Sequence, residues 1–150
     1  MGMSKILIIC YGNPLRSDDG LGWRAAEELA HSLHSPSIEI VTCFQLTPEL
    51  ADSVHSTDLV FFIDASRDGE PGELSFSSVI PTTATTFPHY LSPPAVLALA
   101  QQLYGNVPPA FLASVCGECF ELGEKLSPKV AAGLPRLITL ITYAAQRLAR

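Results

Sequence analysis

Four short stretches of this chain carry residue types that can do chemistry. The first is YGNPLRSDDG, residues 11–20, which sets Asp18 beside Asp19 between an apolar run and an amphipathic segment. The second is FFIDAS, where Asp64 closes an apolar run. The third is FPHYLSPP, a loop with His89 at its centre. The fourth is the single C-x-x-C of Cys116 and Cys119.

A glycine-containing link before a helix commonly holds phosphate, but this one is built differently. After Gly12 the next glycine is Gly20, so the spacing is not G-x-G-x-x-G, and no lysine and hydroxyl pair follows as in a P-loop. Two carboxylates at that position would repel an anion and attract a cation. The structural alternative is that Asp18 or Asp19 caps the helix by accepting a free backbone N–H; capping needs only one of them. Asp64 could in the same way simply start a turn, and a lone loop histidine such as His89 need have no function. Together, however, Asp19, Asp64 and His89 would offer two oxygens and one imidazole nitrogen to a borderline transition metal, with positions left open. On spacing alone that triad is a weak signal. Cys116 and Cys119 lack the second pair a structural zinc needs and sit late in the chain, away from a thioredoxin-like pattern. They read first as plain loop cysteines and second as a redox dithiol. His31, His34 and His55 lie near helix ends and read as solvated. No serine or cysteine has an adjacent base that would make it a nucleophile.

The elements that must position these residues alternate. Strands are predicted over 5–10, 38–43, 57–64, 73–80 and 111–116, the fourth with the polar–apolar alternation of an edge. Helices are predicted over 21–34, 47–55, 93–104 and 128–149. Leu21, Ala25, Leu29 and Leu33 recur every four residues along the first helix. The second would be opened by Thr47 as N-cap and Pro48 at its first position. The last presents Val130, Leu134, Leu137, Ile138, Ile141 and Leu148 on one face, with Pro135 expected to break or kink it. Residues 81–92 have no clean period and form a candidate functional loop. Alternating strands and helices predict an α/β fold, a single three-layer domain over residues 1–150 around a mostly parallel sheet. Ligands of such sheets bind beyond the carboxyl ends of the strands. The first strand delivers Gly12, Asn13, Asp18 and Asp19 there, the third Asp64, and the fifth Cys116, Glu118 and Cys119.

Composition narrows the function classes. The chain has 150 residues, 47% of them hydrophobic and 16% charged, which fits a well-filled globular domain. A formal net charge of −6 argues against nucleic acid or an anionic membrane as partner. The apolar stretch from Ile6 to Cys10 is too short for a signal-peptide core, and no run is long enough to span a membrane. Without a secretion signal, the four cysteines read as reduced thiols of a cytoplasmic protein.

The stretch ILIICYGNPLRSDDGLGWRAAEEL resembles the opening of the hydrogenase maturation proteases, endopeptidases that remove a C-terminal extension from the large subunit of nickel–iron hydrogenases. The resemblance continues in order through FFIDAS, Pro71-Gly72, PHYLSPPAVLALA and the helix that follows Leu126-Ser-Pro, and so covers nearly the whole chain. It implies a twisted, mainly parallel five-stranded sheet flanked by helices, agreeing with the strands counted above. It also implies that Asp19, Asp64 and His89 are the metal-contacting and catalytic residues. Many relatives carry glutamate at the position of Asp19; aspartate keeps the charge and shortens the reach by a methylene. No tightly bound cofactor is implied, because the nickel arrives inside the hydrogenase large-subunit precursor, the expected partner. Three readings stand at this point: a nickel-dependent processing endopeptidase, a non-enzymatic nickel-sensing or delivery protein using the same residues, and a thiol protein using Cys116 and Cys119.

Overall fold

A strand covered by helices on both faces must be apolar on both faces, and the run Ile6–Tyr11 has that character. In the computed structural model, which describes residues 4–84, 86–88 and 90–148, this run is β1. The other strands are β2 (Ile38–Cys43), β3 (Leu59–Ser66), β4 (Leu74–Ser78) and β5 (Ala110–Cys116). They form one five-stranded sheet in the order β2-β1-β3-β5-β4. All neighbours are parallel except β4, which runs antiparallel along the edge of β5.

The helices α1 (Leu21–Ser32), α2 (Leu50–His55), α3 (Pro93–Tyr104) and α4 (Pro128–Leu148) complete the three layers. The period of two along the strands sorts the core. Ile6, Ile8 and Cys10 of β1 and Phe61 and Ile63 of β3 pack under α1 and α4. Leu7 and Ile9 with Val60 and Phe62 pack under α2 and α3 on the other face. Leu21, Ala25 and Leu29 of α1 are buried as the four-residue repeat requires. The α/β, mostly parallel five-stranded fold flanked by helices is therefore the one the sequence indicates.

Some boundaries differ, for local reasons. β3 does not end at Asp64, because Ala65 and Ser66 stay paired with Val115 and Cys116 of β5. α2 begins at Leu50 rather than Thr47 and carries no side-chain cap. The Thr47 and Pro48 carbonyls instead accept from Leu50 and Ala51 in a turn leading into it. α3 has the cap that α2 lacks: Ser92 Oγ accepts from the Ala95 N–H at 3.3 Å, with Pro93 at the first helical position. α4 runs unbroken through Pro135, because Ala131 and Pro135 are both exposed and water can serve the carbonyl that loses its donor. Leu148 stands off the buried stripe of α4 and is 46% exposed.

α1 must lie close to the sheet for the loop before it to reach the strand ends, and Gly22 permits that approach. A Cβ there would meet the Tyr11 carbonyl oxygen at 2.8 Å, the Tyr11 nitrogen at 2.9 Å and the Ile63 carbonyl oxygen at 3.2 Å. All three are backbone atoms of central strands and cannot swing away. Gly→Ala inside a helix ordinarily stabilises by about 1 kcal/mol. Gly22→Ala should instead destabilise by about 1–3 kcal/mol, the range for overpacking. A urea-unfolding midpoint above the parent's would contradict this.

Candidate active site

The site begins where β1 and β3 leave their cover. Their last paired residues are Cys10 and Ile63, so Tyr11 and Asp64 follow side by side at the carboxyl end of the sheet. Alternation along β3 puts Asp64 on the same side as Val60 and Phe62, the α2–α3 face, just past the apolar core.

After Tyr11 the chain turns sharply. Gly12 has φ +137°, and a Cβ on it would overlap the Asp19 carbonyl oxygen, so only glycine fits. The Trp23 indole donates to the Gly12 carbonyl at 2.8 Å, and the Gly12 N–H donates to the Cys43 carbonyl at 3.1 Å. Asn13 accepts from the Leu15 N–H at 2.9 Å, closing an Asx-type turn. The chain then enters a 3-10 turn, Ser17–Gly20, that carries both aspartates.

The two adjacent carboxylates do different work. Neither caps α1, whose N-cap is Gly20 without a side-chain bond. Asp18 is fully buried and points away from the cleft, into the loop that follows β5. Its Oδ2 accepts from the N–H groups of Glu118 at 2.8 Å and Cys119 at 2.9 Å and from Ser127 Oγ at 2.8 Å, while Oδ1 accepts from the Ser127 N–H at 2.7 Å. Ser17, at φ +54°, adds an Oγ bond to the Glu121 carbonyl at 2.7 Å. The loop after β1 is thus tied to the loop after β5. With Asp18 fixed inward, Asp19 is presented to the other side, where its Oδ2 accepts from the Asn13 N–H at 2.8 Å.

Asp19 and Asp64 line one open cleft of about 500 Å³, together with Tyr11, Arg16, Arg67 and Phe120. Burial pushes the Asp64 carboxyl up to about 7, and the nearby Asp19 charge acts in the same direction. The Ala65 N–H, the Tyr11 hydroxyl and the Arg67 charge oppose that rise without cancelling it. Burial and the Asp64 charge likewise push the Tyr11 phenol far above its ordinary range, so it remains a hydrogen-bond donor. Arg67 lies 3.8 Å over the Phe120 ring, which holds its guanidinium on the cleft wall. A cation that both carboxylates could ligate would offset the burial and mutual charge that raise Asp64.

Of the three residues singled out from the sequence, the fold brings Asp19 and Asp64 together. His89 lies outside the described residues. Its neighbours Tyr90 and Leu91 line the same cleft, and Leu91 is anchored by its N–H to the Leu46 carbonyl at 3.1 Å. Among the described residues no three His, Cys, Asp or Glu side chains gather to hold a metal ion.

The C-x-x-C takes no part in the cleft. Both of its cysteines are free thiols, and the buried Cys116 Sγ donates to the Gly69 carbonyl at 3.3 Å. The Glu118 and Cys119 backbones serve Asp18 instead. His31, His34 and His55 are exposed, and His55 stacks on Tyr104 with ring centroids 4.0 Å apart. Tyr11, Arg67 and Phe120 are cleft residues that the sequence does not single out. Strand alternation could have found Tyr11, the residue that follows Cys10 at the end of β1.

No protein-family model matches this chain, and no curated protein sequence matches it. Solved structures do. The hydrogenase maturating endopeptidase HybD from E. coli is 26% identical, over 95% of this chain and 92% of that one, with a TM-score of 0.80. The [NiFe] hydrogenase maturation protease HycI from Thermococcus kodakarensis KOD1 is 25% identical over 97% and 95%, with a TM-score of 0.78. The [NiFe] hydrogenase maturation protease HybD from Thermococcus kodakarensis, 24% identical over 97% and 99% at a TM-score of 0.72, shares the fold. Matching such proteins nearly end to end, the chain has the fold of the hydrogenase maturation endopeptidases, is similar to them over almost its whole length and is a peptidase.

Proposed function

We propose that this protein removes the C-terminal extension of a nickel–iron hydrogenase large-subunit precursor once nickel has been inserted. The observation that carries the reading is the convergence of Asp19 and Asp64 on one cleft from separate elements, where burial and the Asp19 charge raise the Asp64 carboxyl. The nickel is part of the substrate. Asp19, Asp64 and His89 supply the further ligands it can accept, so cleavage is confined to loaded precursor. A peptide bond cannot by itself report whether a metal lies nearby; a metal with open coordination positions can.

Hydrolysis then needs a water driven at the scissile carbonyl. Two routes fit the donor set. A cleft carboxylate can take the proton of the attacking water as general base, for which Asp64, with its carboxyl near 7, is suited at neutral pH. Alternatively the substrate's own metal can polarise the carbonyl or the water while the carboxylates fix its position. The protein would act in the cytoplasm, where the precursor is loaded. Among the described residues no helix is long and apolar enough to cross a membrane.

Incubation with a purified nickel-loaded large-subunit precursor, followed by intact mass spectrometry, tests this. Loss of a C-terminal fragment is the expected result. Tight nickel binding by this protein alone, with no cleavage of any loaded precursor, would replace processing by nickel sensing or delivery.

A further inference from the structure

The peptide unit between Gly12 and Asn13 is gripped on both sides. Its N–H, that of Asn13, donates to Asp19 Oδ2 at 2.8 Å. Its carbonyl, that of Gly12, accepts from the Trp23 indole N–H at 2.8 Å. The N–H and carbonyl of a trans peptide point in opposite directions in one plane. The unit therefore links the indole at one end to the Asp19 carboxylate at the other.

Little in the local backbone opposes turning that plane over. The turn changes ψ of Gly12 and φ of Asn13, and glycine and asparagine are the residue types that enter positive φ most readily. Once turned, the Gly12 carbonyl oxygen would face the Asp19 carboxylate, and the N–H would be lost to it. The neighbouring backbone bonds belong to other units. The Gly12 N–H, which donates to the Cys43 carbonyl at 3.1 Å, is part of the preceding one, and the Asn13 carbonyl, which accepts from the Arg16 N–H at 3.1 Å, is part of the following one. The grip on the Gly12 carbonyl comes from Trp23, which is itself fixed. It stands in the first turn of α1 beside Gly22, where the helix meets the backbone of β1 and β3. Its ring packs on Phe44 with centroids 5.5 Å apart. An N–H whose own carbonyl accepts a hydrogen bond is also the stronger donor.

We propose that Trp23 is a positioning residue of the active site: its indole N–H holds the Gly12–Asn13 peptide in the orientation that aims the Asn13 N–H at Asp19, and so fixes that carboxylate in the cleft it shares with Asp64. The inference rests on the processing reading for its functional consequence, but the orientation of the peptide can be observed without it. Trp23 acts through Asp19. Loss of its N–H frees the plane and misplaces one ligand of a set that must close together.

Trp23→Phe removes the donor and keeps an aromatic ring beside Phe44. Trp23 is also the chain's single tryptophan. Protein grown on the benzothienyl analogue of tryptophan therefore has sulfur in place of the N–H at this one position and keeps the bicyclic ring, and it serves if Trp23→Phe does not fold. With nickel-loaded precursor, kcat of either form should fall about ten- to a hundredfold while KM is unchanged, the pattern of a misplaced reacting group rather than weakened docking. Crystal structures should show the Gly12–Asn13 peptide turned over or in two orientations, with Asp19 released from the Asn13 N–H. A peptide and an Asp19 carboxylate unmoved in both forms would overturn the proposal, as would parental kcat, and leave Trp23 a packing residue. A parent that cleaves no loaded precursor would count against the processing reading instead; the peptide orientation in the two forms would still decide the role of Trp23.

Discussion

Asp64→Asn should abolish processing while making the protein more stable. The amide can neither take a proton from water nor bind a cation as a carboxylate does, so precursor cleavage should fall by about 10²–10⁴-fold. The stability gain comes from the cost of the native carboxylate. Asp64 is moved from its ordinary 3.8 to about 7 by burial first and the charge of Asp19 second. The folded state therefore holds this proton more tightly than the unfolded state does. Native stability is highest where both states are protonated, declines as pH rises from about 4 to about 7, and stays low above that. The gap is worth on the order of 4 kcal/mol. Asparagine removes the term. The two proteins should have similar urea midpoints at about pH 4, and the variant should lead by an increasing margin up to about pH 7. Parallel midpoints across that range would show that Asp64 carries no such cost.

Asp18→Ala should have the opposite effect on stability. The Asp18 carboxylate accepts from the N–H groups of Glu118, Cys119 and Ser127 and from the Ser127 hydroxyl. Burial alone would raise its pKa, but those donors outweigh burial and hold the carboxyl below its ordinary value. Alanine leaves the donors without an acceptor and unties the loop after β1 from the loop after β5. A loss of about 3–5 kcal/mol is expected, since bonds to a charged acceptor are worth about 1.5–3 kcal/mol each and water recovers part of them. Asp18→Asn should fall between, because its amide oxygen can serve the Oδ2 partners while its NH2 confronts the Ser127 N–H. The pH dependence has the reverse sign to that of Asp64. A depressed carboxyl contributes stability above its unfolded value of 3.8, and that contribution is lost as pH falls through the lower folded value. The parent's advantage over Asp18→Ala should therefore shrink below about pH 4, and an advantage constant with pH would contradict the assignment.

The contrast between these neighbours shows where the sequence stops being legible. Asp18 and Asp19 are the same residue type, adjacent, in one loop. What separates them is that the donors to Asp18 lie on Glu118, Cys119 and Ser127, brought near only by the sheet. The strands themselves are legible because β1 and β3 must be apolar on both faces and are bounded by polar or turn residues. That one fact places both carboxylates at the same end of the molecule. Strand ends are less legible: β3 runs on to Ser66 because β5 continues beside it, a property of the partner and not of FFIDAS. The Thr47-Pro48 signature marks the turn that leads into α2 rather than the helix's own start. Pro135 is tolerated because its side of α4 faces solvent, which the residue type does not reveal. Tyr11 falls outside the strand expected over 5–10, at the start of the loop, and its place beside Asp64 depends on which strand lies next to β1.

The most direct test of the account compares two preparations of one large-subunit precursor, nickel-loaded and nickel-free, each incubated with this protein and followed by intact mass. Loss of the C-terminal fragment is expected from the loaded precursor only, and no loss from either with Asp19→Ala. Equal cleavage of the nickel-free precursor would contradict it, because the paired carboxylates would then not be reading the metal.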